Sequence, residues 1–282
     1  MKGGGRKGVG TGRTDAVRTP CALAIGGLDP GGGAGIGADL RAFAAAGVFG
    51  CAALAVVTVQ STAGLRSVRA LAAREVVAQA GEVLRHQRVR AVKVGALGSE
   101  ANVRAVARLL ARYADIPVVI DTPIRPTRGK AHLLVRRALA ALRAELLPLA
   151  TLVTVNADEA SVLVGEPVRT VGEAHDAALA LAGMGARAVL VKGGHLGGAS
   201  ATDVLAIGGE VVELRSRRLV VPAVHGTGCT LASLVAGRLA ARQEVRVDTE
   251  ALVSAIRWAK RTHHAALGRA VDVGRGMRAL MF

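Results

Sequence analysis

The residues best suited to chemistry lie in a glycine turn at positions 225–230, whose sequence is His-Gly-Thr-Gly-Cys-Thr. An apolar stretch follows at once over residues 231–236, so the turn is expected to open a helix. At the first turn of a helix several backbone N–H groups lack a partner and share the positive end of the helix dipole. Such a turn binds anions, and it suits a phosphoryl group in transfer better than a resting carboxylate. The candidate anion-binding residues are Gly226, Thr227, Gly228 and Cys229.

A second glycine turn spans residues 26–37, far away in the sequence. It follows the first predicted strand and leads into a helix, and its glycines would let the backbone approach a ligand closely. It contains neither GxGxxG in the right frame nor GxxxxGK[ST], which excludes a Rossmann or P-loop site. A tight strand-to-helix turn without a ligand would look the same. If both turns serve one site, the fold must bring them together.

Polar side chains also end two other predicted strands. Gln60 could donate and accept hydrogen bonds at the edge of a heterocycle, although a solvated amide at a strand end is the alternative. Lys192 is followed by Gly193 and Gly194, so its side chain could reach a phosphate without steric obstruction. A plain turn would have the same sequence.

The segment 156–159, Asn-Ala-Asp-Glu, has two interpretations. In the structural one, Asn156 caps a helix and Glu159 completes a capping box. In the functional one, Asn156 and Glu159 surround a hydrated Mg²⁺ ion, which prefers oxygen ligands and often keeps its waters. The sequence leaves both open.

The pattern of apolar runs predicts a three-layer, doubly wound α/β fold, with a mostly parallel sheet, helices on both faces and an antiparallel edge hairpin. In such a fold, ligands bind beyond the carboxyl ends of the strands, where the candidate residues fall. The predicted strands are residues 22–26, 52–59, 91–94, 118–121, 152–155 and 188–191, with a hairpin at 204–207 and 211–214. The predicted helices are residues 34–46, 73–86, 100–113, 133–147, 171–184, 230–241 and 249–267.

The formal charge of +16 does not indicate nucleic-acid binding. The basic residues are spread along the chain with no run longer than two, and aromatic residues for base stacking make up only 2% of the chain. A basic surface could still speed the capture of anionic substrates. The expected partner is therefore a small molecule.

The remaining composition favours a cytoplasmic protein with one large domain. No apolar run reaches the roughly 18 residues needed to cross a membrane, and the basic N-terminus lacks a signal peptide's apolar segment. Three cysteines without CxxC spacing argue against both a disulfide framework and a zinc site. Residues 1–20, Gly-rich and basic, are predicted to form a disordered tail, and residues 21–282 a single domain.

The order of these features along the chain is more specific than any one of them. It resembles the ribokinase-like superfamily and, more narrowly, the hydroxymethylpyrimidine/phosphomethylpyrimidine kinases of thiamine biosynthesis. Residues 26–40 contain the signature GxDPxGGAGIxADL of that family. The motif GTGC at residues 226–229 is typical of the pyrimidine branch, since many pyridoxal kinases have Asp at the last position.

This resemblance implies transfer of the γ-phosphoryl group of ATP, with Mg²⁺, to an aminopyrimidine hydroxymethyl group, to its monophosphate, or to both. Cys229 would lie at the acceptor hydroxyl beside the anion hole of residues 226–228. A thiol there is expected to have a lowered pKa and to take the hydroxyl proton. The alternative is that Cys229 only packs in the helix and the proton leaves late, to phosphate or water. Family roles also transfer to substrate-binding Gln60, Asp29, Gly27 and Ala96, to ATP-binding Lys192, Gly193 and Gly194, and to magnesium-organising Asn156 and Glu159. By analogy, the chain would form a homodimer.

Four departures from the family pattern affect the predicted acceptor pocket. They are Leu28, Gly37, Ala96 and Pro123, of which Ala96 replaces a methionine that packs on the pyrimidine. A lost methionine face should remove roughly 1 to 3 kcal/mol of apolar contact. Two alternatives therefore remain beside a pyrimidine kinase: a kinase for another hydroxymethyl heterocycle such as pyridoxine, and a non-catalytic regulator that binds a precursor or nucleic acid.

Overall fold

A computed structural model describes residues 19–121, 123–124, 133–197, 200–242 and 246–282. The predicted tail falls almost entirely outside these residues, so its boundary with a domain at residues 21–282 stays a prediction. Among the described residues, no helix is long and apolar enough to span a bilayer.

Nine strands form one sheet in the order β3-β2-β1-β4-β5-β6-β7-β8-β9. Six neighbouring strands in the middle of this order run parallel: β2, β1, β4, β5, β6 and β7. The strands at the two edges, β3 on one side and β8 and β9 on the other, pair antiparallel. Their bounds are β1 Cys21–Leu28, β2 Phe49–Ser61, β3 Gly64–Ala70, β4 Val89–Val94, β5 Val118–Ile120, β6 Leu152–Asn156, β7 Ala188–Lys192, β8 Ser200–Ile207 and β9 Glu210–Arg217. A separate parallel pair joins β10 (Val224–His225) to β11 (Arg278–Ala279).

Helices cover both faces of the sheet, because successive residues of each buried strand point to opposite sides. On β1, Leu23 belongs to one apolar core and Ala22 and Ala24 to the other. The first core holds residues of α2 Ala73–His86, α3 Glu100–Leu110, α4 Ala138–Ala141, α5 Ala157–Val164 and α6 Val171–Gly183. The second holds residues of α1 Gly35–Ala45, α7 Thr227–Ala240 and α8 Thr249–Gly268. The predicted three-layer, doubly wound fold is confirmed.

The site is positioned by the strand order. From β1 the chain first adds β2 on one side, then crosses to add β4 on the other. This reversal opens a crevice at the carboxyl ends of β1 and β4, where α/β folds bind ligands.

The predicted ranges omit β3, α5, β10 and β11, and one predicted helix differs from the structure. Strand β3 was not predicted, because Arg66, Ser67 and Arg69 interrupt its apolar pattern at the sheet edge. The helix predicted over residues 133–147 starts only at Ala138 and continues as a wider π turn over Leu142–Leu146. The hairpin predicted at residues 204–214 is confirmed as β8 and β9.

Candidate active site

The first glycine turn is shaped by Asp29, a buried residue just beyond β1. Its Oδ1 accepts a hydrogen bond from the Gly31 N–H at 2.9 Å, and its Oδ2 accepts one from the Ala34 N–H at 2.9 Å. At Gly35, where φ is +55°, any side chain would collide with the carbonyl oxygen of Gly27. Asp29 was predicted to bind substrate. Its carboxylate also holds the loop that would surround the substrate.

The two glycine turns touch each other. Nε2 of His225 lies 2.9 Å from Oδ2 of Asp29, and both side chains are buried. A side chain at Gly226 would collide with the carbonyl oxygen of Gly33. The fold thus brings the two glycine turns together, as a single site would need.

The second turn leaves donors available at the start of α7. Gly226 is the N-cap, with φ of 72°, and the helix begins at Thr227. The first helical hydrogen bond from this turn runs from the Thr230 N–H to the Gly226 carbonyl, at 3.0 Å. The N–H groups of Thr227, Gly228 and Cys229 precede it, so they are available to an anion.

Lys192, at the end of β7, extends over this helix start. A Cβ atom on Gly228 would lie 2.9 Å from its Nζ, so the ammonium group packs directly against the backbone of this turn. Nζ also lies 2.6 Å from Oδ1 of Asp121, which accepts a hydrogen bond from the Thr154 hydroxyl at 2.7 Å. Burial lowers the pKa of Lys192, but attraction by Asp121 and Glu159 outweighs it and raises the pKa overall. A charged lysine therefore stands beside the free N–H groups.

The acidity predicted for Cys229 is wrong. Burial raises the pKa of its thiol to about 12, and the nearby charge of Lys93, which lowers this pKa, does not compensate. A helix N-terminus stabilises a thiolate, but removal from water disfavours the charged form more strongly here. The thiol is protonated at neutral pH.

Asn156 and Glu159 form the capping box of α5. Oδ1 of Asn156 accepts from the Glu159 N–H at 2.8 Å, and Oε2 of Glu159 accepts from the Asn156 N–H at 2.8 Å. Burial raises the pKa of Glu159 to about 7, against the attraction of Lys192. The structural interpretation is therefore correct in geometry, and it leaves an acid of unusually high pKa at the cavity wall.

Gln60, near the end of β2, belongs to a polar chain that reaches the second turn. Its amide contacts Nε2 of His225 at 3.0 Å and the Thr58 hydroxyl at 3.3 Å, and this hydroxyl donates to the Leu28 carbonyl at 2.7 Å. His225 and Thr58 therefore hold Gln60 at the wall of the cavity that all three residues line.

One cavity of about 950 Å³ connects these groups. Ala96, which follows β4, borders it near Gly27, where a Cβ atom would lie 3.6 Å from the Ala96 Cβ. Gly193 does not line it, because its N–H donates to Oδ1 of Asp203 at 2.8 Å and its Cα packs against β8. The predicted residues that line the cavity are Gly27, Asp29, Gln60, Ala96, Asn156, Glu159, Lys192, Gly194, Gly226, Thr227, Gly228 and Cys229.

The cavity lining also includes residues that were not predicted, among them Lys93, Asp121, Lys260 and His263. Nζ of Lys260 lies 2.6 Å from Oδ2 of Asp203. Burial lowers the pKa of His263 to about 4. Lys93 and Asp121 had a detectable signal, since a charged residue within or directly after an apolar strand needs a partner. Lys260 and His263 lie on a long amphipathic helix, where their spacing carries no such signal.

Comparison with known proteins decides the family. A family model described as phosphomethylpyrimidine kinase matches residues 29–281. The chain belongs to the phosphomethylpyrimidine kinase family. It is 40% identical over 261 residues to a hydroxymethylpyrimidine/phosphomethylpyrimidine kinase of Rhizobium meliloti, covering 92% of this chain and 95% of that protein.

Solved structures of this family and its neighbours share the fold. A phosphomethylpyrimidine kinase from Clostridium difficile superposes with a TM-score of 0.71 at 30% identity, covering 86% of this chain and 99% of that one. An ADP complex of Bacillus subtilis pyridoxal kinase gives a TM-score of 0.81 at 31% identity, covering 93% and 96%. The resemblance inferred from the sequence, to ribokinase-like pyrimidine kinases, is confirmed.

Proposed function

We propose that this kinase transfers the γ-phosphoryl group of ATP to 4-amino-5-hydroxymethyl-2-methylpyrimidine, to its monophosphate, or to both, in thiamine biosynthesis. One observation carries the proposal: the anion-binding start of α7, the ammonium group of Lys192 and the amide of Gln60 border a single cavity. Family membership and the names of the relatives support the same reaction.

The geometry suits phosphoryl transfer, which depends on alignment and charge stabilisation more than on covalent chemistry. The N–H groups of Thr227, Gly228 and Cys229 would stabilise charge on the transferring group, with Lys192 beside them. Gln60 would hold the edge of the acceptor ring. Because the Cys229 thiol is protonated, the acceptor's proton leaves late, to phosphate or water, rather than to a thiolate.

Mg²⁺ would be held mainly by phosphate oxygens and water. Within the described ranges, no group of three or more His, Cys, Asp or Glu side chains is arranged to bind a metal. Glu159 and Asn156 supply oxygen donors at the cavity wall, and a nearby cation would favour the ionised form of Glu159. When bound, the ion would neutralise phosphate charge.

A coupled assay with a panel of acceptors tests the proposal. ATP-dependent turnover should be fastest with the hydroxymethylpyrimidine or its phosphate. Gln60→Ala should raise the KM for this acceptor more than that for ATP, and equal increases would contradict the place assigned to Gln60. If no acceptor in the panel reacts while a precursor or DNA binds tightly, the chain is a regulator.

Pyridoxine is a second candidate acceptor, favoured by the small Ala96 side chain. Similarity to a pyridoxal kinase supports its inclusion in the panel. A cytoplasmic location, consistent with three free thiols, and a homodimer remain proposals from the sequence.

A further inference from the structure

A buried group of three polar residues, of which Lys93 lines the cavity, has no part in the mechanism above. Nζ of Lys93 lies 2.9 Å from Oδ1 and 3.1 Å from Oδ2 of Asp39, and the Ser233 hydroxyl donates to Oδ1 at 2.6 Å. Lys93 is 1% exposed, and Asp39 and Ser233 are fully buried. We call these residues the Asp39–Lys93–Ser233 cluster.

The cluster joins the three elements that carry the two halves of the site. Asp39 is on α1, which leaves the first glycine turn. Lys93 is on β4, which leads to Ala96. Ser233 is on α7, which begins at the anion hole.

The ion pair lies close to the backbone at the ends of β1 and β4. A Cβ atom on Gly95 would lie 2.9 Å from Nζ of Lys93, and one on Gly26 would lie 3.9 Å from Oδ2 of Asp39. Gly26 ends one side of the crevice between β1 and β4, and Gly95 ends the other. The ion pair therefore sits at the crevice itself, below the position of a bound ligand.

Stability alone does not account for such a group. Removing two charges from water costs several kcal/mol per ion, and apolar side chains of similar volume are often equally stabilising. Burial lowers the pKa of Lys93, but attraction by Asp39 outweighs it, so the lysine keeps its charge.

The cluster also reaches the reacting end of α7. The Ser233 oxygen lies 2.9 Å from the carbonyl oxygen of Cys229, one turn earlier. Its single proton goes to the closer Asp39 oxygen, so the hydroxyl ties α7 to α1 one turn after Cys229, and the helix carries this constraint to its first turn.

We propose that the Asp39–Lys93–Ser233 cluster positions the first turn of α7, and hence the N–H groups of the anion hole, relative to the acceptor turn. Its members are positioning residues, and the inference rests on the proposed function. Changes in these three residues should lower kcat and have little effect on binding, because a small misplacement of aligned groups lowers the rate far more than the affinity.

Ser233→Ala is the main test, since it removes one hydroxyl without adding volume. It should lower kcat about tenfold and leave the KM values for ATP and acceptor within about twofold. The double variant Asp39→Asn/Lys93→Met, which leaves no unpaired buried charge, should fold and show a similar loss. Cys51→Ala is the matched control, because it removes a buried hydrogen-bonding side chain at the amino end of β2.

The outcomes separate this inference from the proposed function. If the wild-type protein phosphorylates none of the acceptors, the proposed function fails. If it does, and both cluster variants fold and keep kcat within twofold, the cluster inference alone is overturned. The cluster inference would also be overturned if Cys51→Ala lost as much stability as the cluster variants and as much kcat.

Discussion

His225 contacts Asp29 across 196 positions of sequence, with Nε2 2.9 Å from the carboxylate oxygen Oδ2. Asp29 fixes the first glycine turn through two backbone N–H groups, and His225 directly precedes the N-cap of α7. This contact connects the loop expected to surround the acceptor with the helix expected to bind phosphate. Removing it should disturb the alignment of the two reactants.

His225→Ala should lower turnover by at least about tenfold, because it separates the two turns and leaves the Asp29 charge without its side-chain partner. The free energy of unfolding should fall by about 1 to 3 kcal/mol. Steady-state kinetics and urea unfolding measure the two effects. His175→Ala, which removes a histidine from a pair with Glu213 on the other face of the sheet, should leave turnover unchanged. Full activity of His225→Ala would show that the contact has no part in alignment.

Cys229→Ala should lower kcat by at least about tenfold while nucleotide binding persists, because we place this side chain beside the acceptor hydroxyl, where its loss would disturb alignment. Burial raises its pKa to about 12, so the pH profile of wild-type turnover between pH 6 and 9 should contain no step lost in this variant. Cys21→Ala, a buried thiol at the start of β1, is the control. A step that disappears with Cys229 would restore the thiolate mechanism.

The sequence predicted that the candidate residues would meet at one edge of the sheet, because parallel strands gather their carboxyl ends there. Gln60, Asn156 and Lys192 each end a strand, so their meeting in one cavity followed from the strand pattern alone. The partner of Lys93 was not predictable in this way. Asp39 lies 54 positions earlier on a helix whose polar positions gave no indication of burial.

The pKa values that depend on burial could not be predicted from the sequence either. Spacing placed Cys229 at a helix start, where a lowered pKa is the usual expectation, but burial reversed the sign. Glu159 was correctly placed in a capping box, yet nothing in the motif indicated that burial would raise its pKa to about 7. The motif identifies the local hydrogen bonds, whereas the pKa reports the whole environment.

Glu159 should make the protein less stable as the pH rises. Its pKa is about 7 in the folded state against an ordinary value of 4.5, so the folded state binds more protons between pH 4.5 and 7. The free energy of unfolding therefore falls as pH increases through this window. Glu159→Gln keeps an oxygen acceptor for the capping box but cannot ionise, so the fall should be absent from this variant.

Urea unfolding at pH 5 and pH 7.5 measures this effect as the difference between wild type and Glu159→Gln. Relative to Glu159→Gln, the wild type should lose about 1 kcal/mol or more of its free energy of unfolding between pH 5 and pH 7.5. His263, whose pKa is lowered to about 4, changes stability in the opposite direction but is present in both proteins and cancels. Parallel stability curves would show that Glu159 ionises normally in the folded protein.

Ala96→Met should narrow the acceptor pocket, because Ala96 borders the cavity beside Gly27 and a longer side chain would extend into it. With the hydroxymethylpyrimidine as substrate, an added apolar contact of roughly 1 to 3 kcal/mol should lower KM by about fivefold or more. With the larger pyridoxine, the same side chain should lower kcat/KM. Ala101→Met, on the exposed surface of α3, controls for the substitution itself. The ratio of kcat/KM for the two acceptors is the deciding measurement: a shift toward pyridoxine would mean that the space beside Ala96 does not hold the acceptor ring.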